Sequence, residues 1–182
     1  MGEKRNFKEL LADVEAMVFD VDGVMTDGGI MPIEGGKDFI RKYNAKDGYA
    51  IAYAVRRGYK VCVITGGHGE LLRSRMERLG VTRLYINCMD KISAMQEFFA
   101  DYDIDPATTI YMGDDIPDLE CMQTVGIPVC PADACSEVIE ASRYVSEFCG
   151  GRGAVRDIVE QTLRSQGEWA RDRVGVMGVA SR

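Results

Sequence analysis

Short apolar runs alternate with segments of helical periodicity along most of the chain. The runs predict strands, and they lie at 16–19, 59–64, 83–86, 108–112, 126–129 and 143–145. Helical periodicity predicts helices at 6–13, 45–57, 70–79, 90–100, 119–124 and 154–164, with one more between the last two strands. Because strands and helices alternate, we expect an α/β fold, a Rossmann-like three-layer sandwich with a mostly parallel central sheet.

One segment departs from this alternation. Residues 29–43 predict a small β-hairpin flap that turns at 34–37. Only 42 residues separate Asp22 from Thr65, which is enough for a hairpin and a helix but not for a separate cap domain. We expect a single domain over 1–166 and a Gly- and Arg-containing tail over 167–182, poorly ordered unless a partner holds it.

Composition narrows the class of protein. Apolar residues make up 46% and charged residues 28% of the 182 residues, as is typical of a soluble globular protein. No apolar run has the length of a membrane helix or signal peptide, which predicts the cytoplasm. A net charge of −7 argues against a nucleic-acid partner. The six cysteines form no C-x-x-C pair and there is one His, so a zinc site is not favoured.

Polar residues follow three of the predicted strands directly. Asp20 and Asp22 follow the first strand, Thr65 follows the second, and residues 113–115 (Gly-Asp-Asp) follow the fourth. In parallel sheets, ligands bind outside the carboxyl ends of the strands. The three strand ends therefore predict one crevice that holds a ligand.

The pair Asp20 and Asp22 ends a buried strand. Two neighbouring carboxylates there repel each other and lose hydration unless a cation or a proton lies between them. An enzyme could use one as a nucleophile and the other as a general acid and base. A helix cap or an Asx turn is the alternative, and the pairing after an apolar strand favours the catalytic interpretation.

Two further features suit a phosphate. Thr65 opens a Gly-rich turn, residues 66–69, whose backbone N–H groups and following helix can bind an anion, although such turns are common. Lys91 starts a helix, an unfavourable place for a cation, which indicates either a bound phosphate or an ordinary solvated lysine. We interpret His68 as an exposed turn residue or a substrate contact rather than a metal ligand.

Acidic residues also cluster after the fourth strand. Asp114, Asp115 and Asp118 lie within five positions, and carboxylate oxygens are the ligands that Mg²⁺ prefers. Asp118 has two other possible roles: capping the helix that starts near Leu119, or supporting the ligands from behind.

In this order, Asp20-x-Asp22-Gly23, Thr65-Gly66, Lys91 and Gly113-Asp114-Asp115-x-x-Asp118 resemble the four motifs of the haloacid dehalogenase superfamily over about residues 15–130. The resemblance implies that Asp20 is the nucleophile that forms an aspartyl-phosphate and that Asp22 is the general acid and then base. It further implies that the phosphoryl group is bound by Thr65, Gly66 and Lys91. Mg²⁺ would be held by Asp20, Asp114 and the main-chain carbonyl of Asp22.

A closer resemblance extends over about residues 15–165. The segments Asp22–Gly28, Asn44–Gly48 and Gly150–Arg156 are similar to those of capless 3-deoxy-D-manno-octulosonate 8-phosphate (KDO 8-phosphate) phosphatases. This implies Mg²⁺-dependent hydrolysis of that sugar acid phosphate for lipopolysaccharide synthesis. It also implies a homotetramer in which the hairpin and C-terminal segment of one subunit close a neighbour's site.

The chain departs from this pattern at Gly67, where many of these phosphatases carry Arg. The residue that recognises the substrate carboxylate is therefore open, with Arg75, Arg152 and Arg156 as candidates and surface cations as the alternative for each. Three other functions are weighed as alternatives. They are a phosphatase of a nine-carbon sugar acid phosphate, a non-catalytic phospho-ligand-binding scaffold, and a phosphomutase, which usually needs a closing cap.

Overall fold

The computed structural model describes residues 6–33, 35 and 37–171, and a parallel sheet lies at its centre. The strands are β1 (Ala16–Phe19), β2 (Met31–Pro32), β3 (Phe39–Ile40), β4 (Lys60–Ile64), β5 (Arg83–Tyr85), β6 (Thr109–Met112), β7 (Ile127–Cys130) and β8 (Tyr144–Val145). Six strands form the sheet in the order β5-β4-β1-β6-β7-β8, and every pair in it is parallel. The antiparallel pair β2–β3 is separate and confirms the predicted hairpin.

Helices cover both faces of the sheet, so the predicted three-layer sandwich is confirmed. They are α1 (Phe7–Leu10), α2 (Ala45–Arg56), α3 (Glu70–Leu79), α4 (Lys91–Tyr102), α5 (Leu119–Thr124), α6 (Ser136–Ala141) and α7 (Ala154–Ser165). Met17 and Phe19 of β1 pack among α2, α3 and α7, whereas Ala16 and Val18 pack among α4, α5 and α6. This division follows from the alternation of side chains along a strand. No described helix has both the length and the apolar character needed to cross a lipid bilayer.

The register of the three inner strands brings their carboxyl ends level. Phe19, the last residue of β1, pairs with Val63 on one side and with Met112 on the other. The order of the strands also reverses at β1, since the chain builds β4 and β5 on one side and β6 to β8 on the other. The residues that follow β1, β4 and β6 therefore share one crevice.

The Gly150–Arg156 segment supports the loop that follows β1. The Gly151 N–H donates to the carbonyl of Val24, at 2.9 Å. A Cβ atom at Gly150 would lie 1.8 Å from the carbonyl oxygen of Gly23, so only glycine allows this backbone-to-backbone contact. Two of the predicted motifs are thus in direct contact within one chain.

The Asn44–Gly48 segment also contacts the Gly150–Arg156 segment. The Asp47 carboxylate is buried and accepts a hydrogen bond of 2.8 Å from the N–H of Arg156, in the first turn of α7. Asn44 donates its side-chain amide to the carbonyl of Gly151, at 3.4 Å. The negative charge of Asp47 also suits the N-terminus of α7. Asn44 and Asp47 therefore both stabilise the position of the Gly150–Arg156 segment.

The first residues of the predicted tail pack against the domain. The Trp169 ring lies 5.1 Å from the ring of Tyr53, and the N–H of Glu168 donates to the carbonyl of Leu163 at 2.7 Å. Glu168 also pairs with Arg57. The expected lack of order after Gly167 is therefore not seen at these positions, because aromatic packing on α2 holds them. The remainder, 172–182, lies outside the described residues.

Candidate active site

A cavity of about 250 Å³ opens at the carboxyl ends of β1, β4 and β6. Six of the residues that the sequence predicted for the site line it, namely Asp20, Asp22, Thr65, Gly66, Lys91 and Asp114. They come from four separate segments of the chain. The fold thus brings together site residues from all four motifs, whereas the candidate arginines, which lie outside those motifs, do not line the cavity.

Lys91 is a buried cation between two carboxylates. Its Nζ lies 3.1 Å from Oδ2 of Asp20 and 2.8 Å from Oδ1 of Asp118, and its side chain is 8% exposed. The alternative of an ordinary solvated lysine is therefore wrong. The cost of placing a cation at the start of α4 is offset by these two ion pairs.

Asp118 organises the base of the cavity. Besides Lys91, its Oδ1 accepts from the hydroxyl of Tyr111 at 2.7 Å, and its Oδ2 accepts from the N–H of Asp114 at 3.1 Å. Its side chain makes no capping hydrogen bond to α5, so it supports the site from behind. The sequence pattern gave no indication of Tyr111, because a tyrosine within a buried strand looks like ordinary core.

Asp20 and Asp114 each have one buried oxygen, Oδ1, without a hydrogen-bond partner. Burial and the nearby charge of Asp118 raise the pKa of Asp20 to about 6, although Lys91 acts in the opposite direction. Burial and the charge of Asp20 raise the pKa of Asp114 to about 7. Carboxylates in such surroundings require a cation or a proton.

The donor set fits Mg²⁺. Oxygens of Asp20, Asp114 and Asp118 lie within 4.8 Å of one another. Because Asp118 already accepts hydrogen bonds at both oxygens, Asp20 and Asp114 are the carboxylates left to hold the ion. A hard divalent cation with oxygen ligands would neutralise them. The main-chain carbonyl of Asp22 stays a predicted third ligand.

Gly23 makes room for this acidic group. A Cβ atom on Gly23 would lie 2.0 Å from Oδ2 of Asp114, and its backbone φ of +89° is one that residues with side chains rarely adopt. The glycine of the first motif is therefore required both for the turn after Asp22 and for the approach of Asp114.

The Asp22 carboxylate is not part of this group of close oxygens and pairs with Arg41 of the hairpin. Nε of Arg41 donates to Oδ1 at 2.7 Å, and Nη2 donates to Oδ2 at 3.0 Å. Asp22 is thus set apart from Asp20 and Asp114, as a division between acid/base and nucleophile requires. Arg41 was missed, because the sequence analysis expected the hairpin to close a neighbour's site and gave no signal that Arg41 reaches Asp22 of its own chain.

The Gly-rich turn after β4 is arranged differently from the prediction. The Thr65 hydroxyl accepts from the N–H of Gly67 at 3.0 Å and is buried at the cavity wall. The N-terminus of α3 is capped by Asp38 of the hairpin, whose Oδ2 accepts from the N–H of Leu71 at 2.9 Å. The expected use of this helix terminus by a phosphate is therefore not supported, since a carboxylate already lies there.

The candidate arginines lie outside the cavity. Arg75 packs over the ring of Tyr43, with 5.7 Å from its Cζ to the ring centroid. Arg152 is 57% exposed and pairs with Asp27 at 3.2 Å. Arg156 stacks on Trp169, 4.4 Å from the ring centroid. None of the three reaches the acidic group of its own chain.

Comparison with known proteins places these features in a family. The model of the haloacid dehalogenase-like hydrolases matches residues 80–153. The chain is 37% identical to 3-deoxy-D-manno-octulosonate 8-phosphate phosphatase KdsC of Yersinia pestis over 155 residues, which covers 85% of this chain and 82% of that protein. Identity to KdsC of Escherichia coli K12 is 35%, over 86% of this chain and 82% of that protein.

Solved structures show the same similarity. The crystal structure of the Yersinia pestis phosphatase superposes with a TM-score of 0.85 at 35% identity, covering 88% of this chain and 86% of that one. The Moraxella catarrhalis phosphatase, solved with a magnesium ion, a phosphate ion and KDO, gives a TM-score of 0.83 at 26% identity, over 88% of this chain and 91% of that one.

Proposed function

Because the chain belongs to the 3-deoxy-D-manno-octulosonate 8-phosphate phosphatases, a family of haloacid dehalogenase-like hydrolases, we propose that it hydrolyses KDO 8-phosphate to KDO and phosphate. The reaction requires Mg²⁺ and supplies lipopolysaccharide precursor synthesis. The observation that carries the proposal is the buried Asp20 carboxylate between Lys91 and Asp114, with one oxygen lacking a partner.

In the proposed first step, Asp20 attacks the phosphorus atom with a carboxylate oxygen. A phosphorus–oxygen bond forms to Asp20 while the bond to the sugar oxygen breaks, and Asp22 gives its proton to that oxygen. In the second step, water attacks the phosphorus atom and gives a proton to Asp22. The bond between Asp20 and phosphorus then breaks and releases phosphate, so Asp22 regains the proton that it had lost.

The remaining predicted residues bind and neutralise charge. Mg²⁺, when bound, lowers the repulsion between the phosphate and Asp20. Lys91 and the Thr65 hydroxyl, with the Gly66 backbone, bind the phosphoryl oxygens. Phosphoryl transfer needs such positioning and charge neutralisation more than it needs further covalent chemistry.

We also propose a homotetramer in which a neighbouring subunit closes the site. The hairpin exposes a group of large apolar side chains, namely Ile30, Met31, Ile33 and Ile40, of which Met31 is 63% exposed. An apolar patch of this kind is typical of a protein interface. A binding role for the exposed Arg152, and for Arg75, is part of this proposal, since neither lines the cavity of its own chain.

We place the reaction in the cytoplasm, because all six cysteines are unpaired, as is usual in a reducing compartment. An assay of phosphate release tests the function. The substrates are KDO 8-phosphate, a nine-carbon 2-keto-3-deoxy sugar acid 9-phosphate and simple sugar phosphates, each with Mg²⁺ and with EDTA. KDO 8-phosphate should give the highest kcat/KM; preference for the nine-carbon compound would assign the alternative substrate.

The mechanism is tested with Asp20→Asn. We expect activity to fall at least about 10³-fold and a phosphorylated protein to be absent from the mass spectrum after rapid acid quench, because the nucleophile is lost. Asp101→Asn, on the exposed side of α4, is the matched control and should keep full activity. Full activity of Asp20→Asn would overturn the mechanism.

A further inference from the structure

Arg41 is buried although it lies on the hairpin. Its side chain is 3% exposed, and its guanidinium meets both oxygens of Asp22 at 2.7 and 3.0 Å. A fork of two parallel N–H donors fixes the plane of a carboxylate as well as its position. The side chain assigned to proton transfer is thus held by a residue outside the four motifs.

Gly67 provides the space for this guanidinium. A Cβ atom at Gly67 would lie 2.7 Å from Nη2 of Arg41 and 3.1 Å from Oδ2 of Asp22. The third nitrogen, Nη1, donates to the carbonyl of His68 at 3.3 Å. Arg41 therefore packs against Gly67, where a larger residue would displace it.

The hairpin is itself fixed beside Arg41. Asp38 accepts from the N–H of Leu71 at the start of α3, at 2.9 Å, and the ring of Phe39 meets the ring of His68 at 5.1 Å between centroids. Leu71 and His68 both belong to the segment after β4. Arg41 is therefore held by a strand that is docked on the wall of the cavity, rather than by a loose flap.

We propose that Arg41 is a positioning residue that holds the Asp22 carboxylate in the orientation from which it gives and takes a proton. This inference rests on the proposed function. When Asp22 carries a proton, one of its oxygens becomes a hydroxyl and can no longer accept from Arg41 in the same geometry. The bond to the other oxygen then keeps the carboxyl group in place while its proton faces the substrate.

If Arg41 has this role, the loss of activity caused by removing Arg41 should depend on the leaving group of the substrate. A sugar alkoxide is a poor leaving group and needs the proton of Asp22, whereas p-nitrophenolate is a stable anion that leaves without one. Loss of the orienting pair should therefore slow alkyl phosphates and spare p-nitrophenyl phosphate. A residue that bound the substrate carboxylate would behave differently, because its loss would affect only substrates that carry a carboxylate.

The experiment compares three substrates with Mg²⁺: KDO 8-phosphate, arabinose 5-phosphate, which lacks the carboxylate, and p-nitrophenyl phosphate. Positioned general acids contribute about 10²–10⁴-fold, so for Arg41→Ala we expect kcat to fall roughly 30- to 100-fold on both sugar phosphates. The fall on p-nitrophenyl phosphate should be less than about 3-fold, with KM changed little on any substrate.

Two further variants keep the result interpretable. Arg41→Lys retains a cation but not the fork, and it should recover part of the lost kcat on the sugar phosphates and remain folded. Lys42→Ala removes the neighbouring, exposed charge from the same segment and should match the wild type on all three substrates.

An equal loss on all three substrates would overturn the inference in favour of a purely structural role of the hairpin. A loss confined to KDO 8-phosphate would overturn it in favour of direct carboxylate binding, and no loss would overturn it outright. If the wild type hydrolyses arabinose 5-phosphate and p-nitrophenyl phosphate but not KDO 8-phosphate, the proposed substrate fails. The comparison of the other two substrates would still test Arg41.

Discussion

The ammonium group of Lys91 lies 3.1 Å from a carboxylate oxygen of Asp20, and both side chains are about nine-tenths buried. The same ammonium binds Asp118 at 2.8 Å, at the base of the cavity. Lys91 therefore has two effects: it neutralises charge beside Asp20, the proposed nucleophile, and it joins α4 to the segment after β6.

Lys91→Met should lower the free energy of unfolding by about 3–5 kcal/mol, because it leaves two buried carboxylates without their cation. Urea unfolding followed by circular dichroism measures the change. The matched control is Lys42→Met, which removes an exposed charge and should change the stability by less than about 0.5 kcal/mol. Adding Asp118→Asn to Lys91→Met should recover part of the loss; strictly additive effects would contradict the pairing.

The stability of the metal-free protein should depend on pH. The pKa of Asp20 is raised to about 6 and that of Asp114 to about 7, from an ordinary value of 3.8. At these two groups the folded protein therefore holds more protons than the unfolded chain between about pH 4 and pH 7, so their contribution to stability is greatest near pH 4 and falls as the pH rises to 7.

We expect these two groups to lower the free energy of unfolding by on the order of 5 kcal/mol across that range in EDTA. Saturating Mg²⁺ should make the free energy of unfolding less dependent on pH, because the bound ion replaces the protons on Asp20 and Asp114. Asp114→Asn should also make the free energy of unfolding less dependent on pH in the absence of Mg²⁺. Thermal melts at half-unit steps of pH give the measurement, and a metal-free protein that became more stable on going from pH 5 to pH 7 would contradict it.

Gly23→Ala should abolish Mg²⁺ binding, because its Cβ would lie 2.0 Å from an oxygen of Asp114. Gly28→Ala is the matched control, since Gly28 also has a positive φ, of +75°, but has room for a Cβ at 3.8 Å. Both variants should lose about 1 kcal/mol or more of stability through backbone strain. Only Gly23→Ala should lose Mg²⁺ affinity in isothermal titration calorimetry; equal affinities would show that Asp114 moves aside.

Met31→Glu should dissociate the proposed homotetramer, because it places a charge in the exposed apolar group on the hairpin. Light scattering coupled to size exclusion measures the mass. Lys37→Glu, which changes the charge elsewhere on the hairpin, is the control and should leave the mass unchanged. A wild type with the mass of a monomer would remove the basis for closure of the site by a neighbour.

The fold was predictable because each strand and helix carries a strong local pattern. The predicted 16–19 strand and 70–79 helix match β1 and α3 residue for residue, and Gly80 ends α3 in a left-handed conformation. The carboxyl-end rule for parallel sheets then placed Asp20, Thr65 and Asp114 together. The predictable part of the site is therefore the set of side chains that come directly after a strand, together with Lys91, whose place at a helix start marked it as unusual.

The parts that were missed depend on tertiary contacts between different elements of the fold. Arg41 reaches Asp22 from the hairpin, Asp38 reaches the start of α3, and Tyr111 reaches Asp118 from inside a strand. No periodicity in the sequence marks such contacts, since each side chain follows an ordinary local pattern. The placement of Trp169 against Tyr53 is of the same kind, because it depends on α2, more than a hundred residues earlier.

The contact between Gly150 and Gly23 has a consequence for how the protein matures during translation. The loop that carries Asp22 is synthesised more than a hundred residues before the backbone on which it rests. A nascent chain on the ribosome therefore holds all four motifs before it can hold them in place. We expect activity to appear abruptly, once Arg156 and α7 have left the exit tunnel, and not in proportion to the length already synthesised.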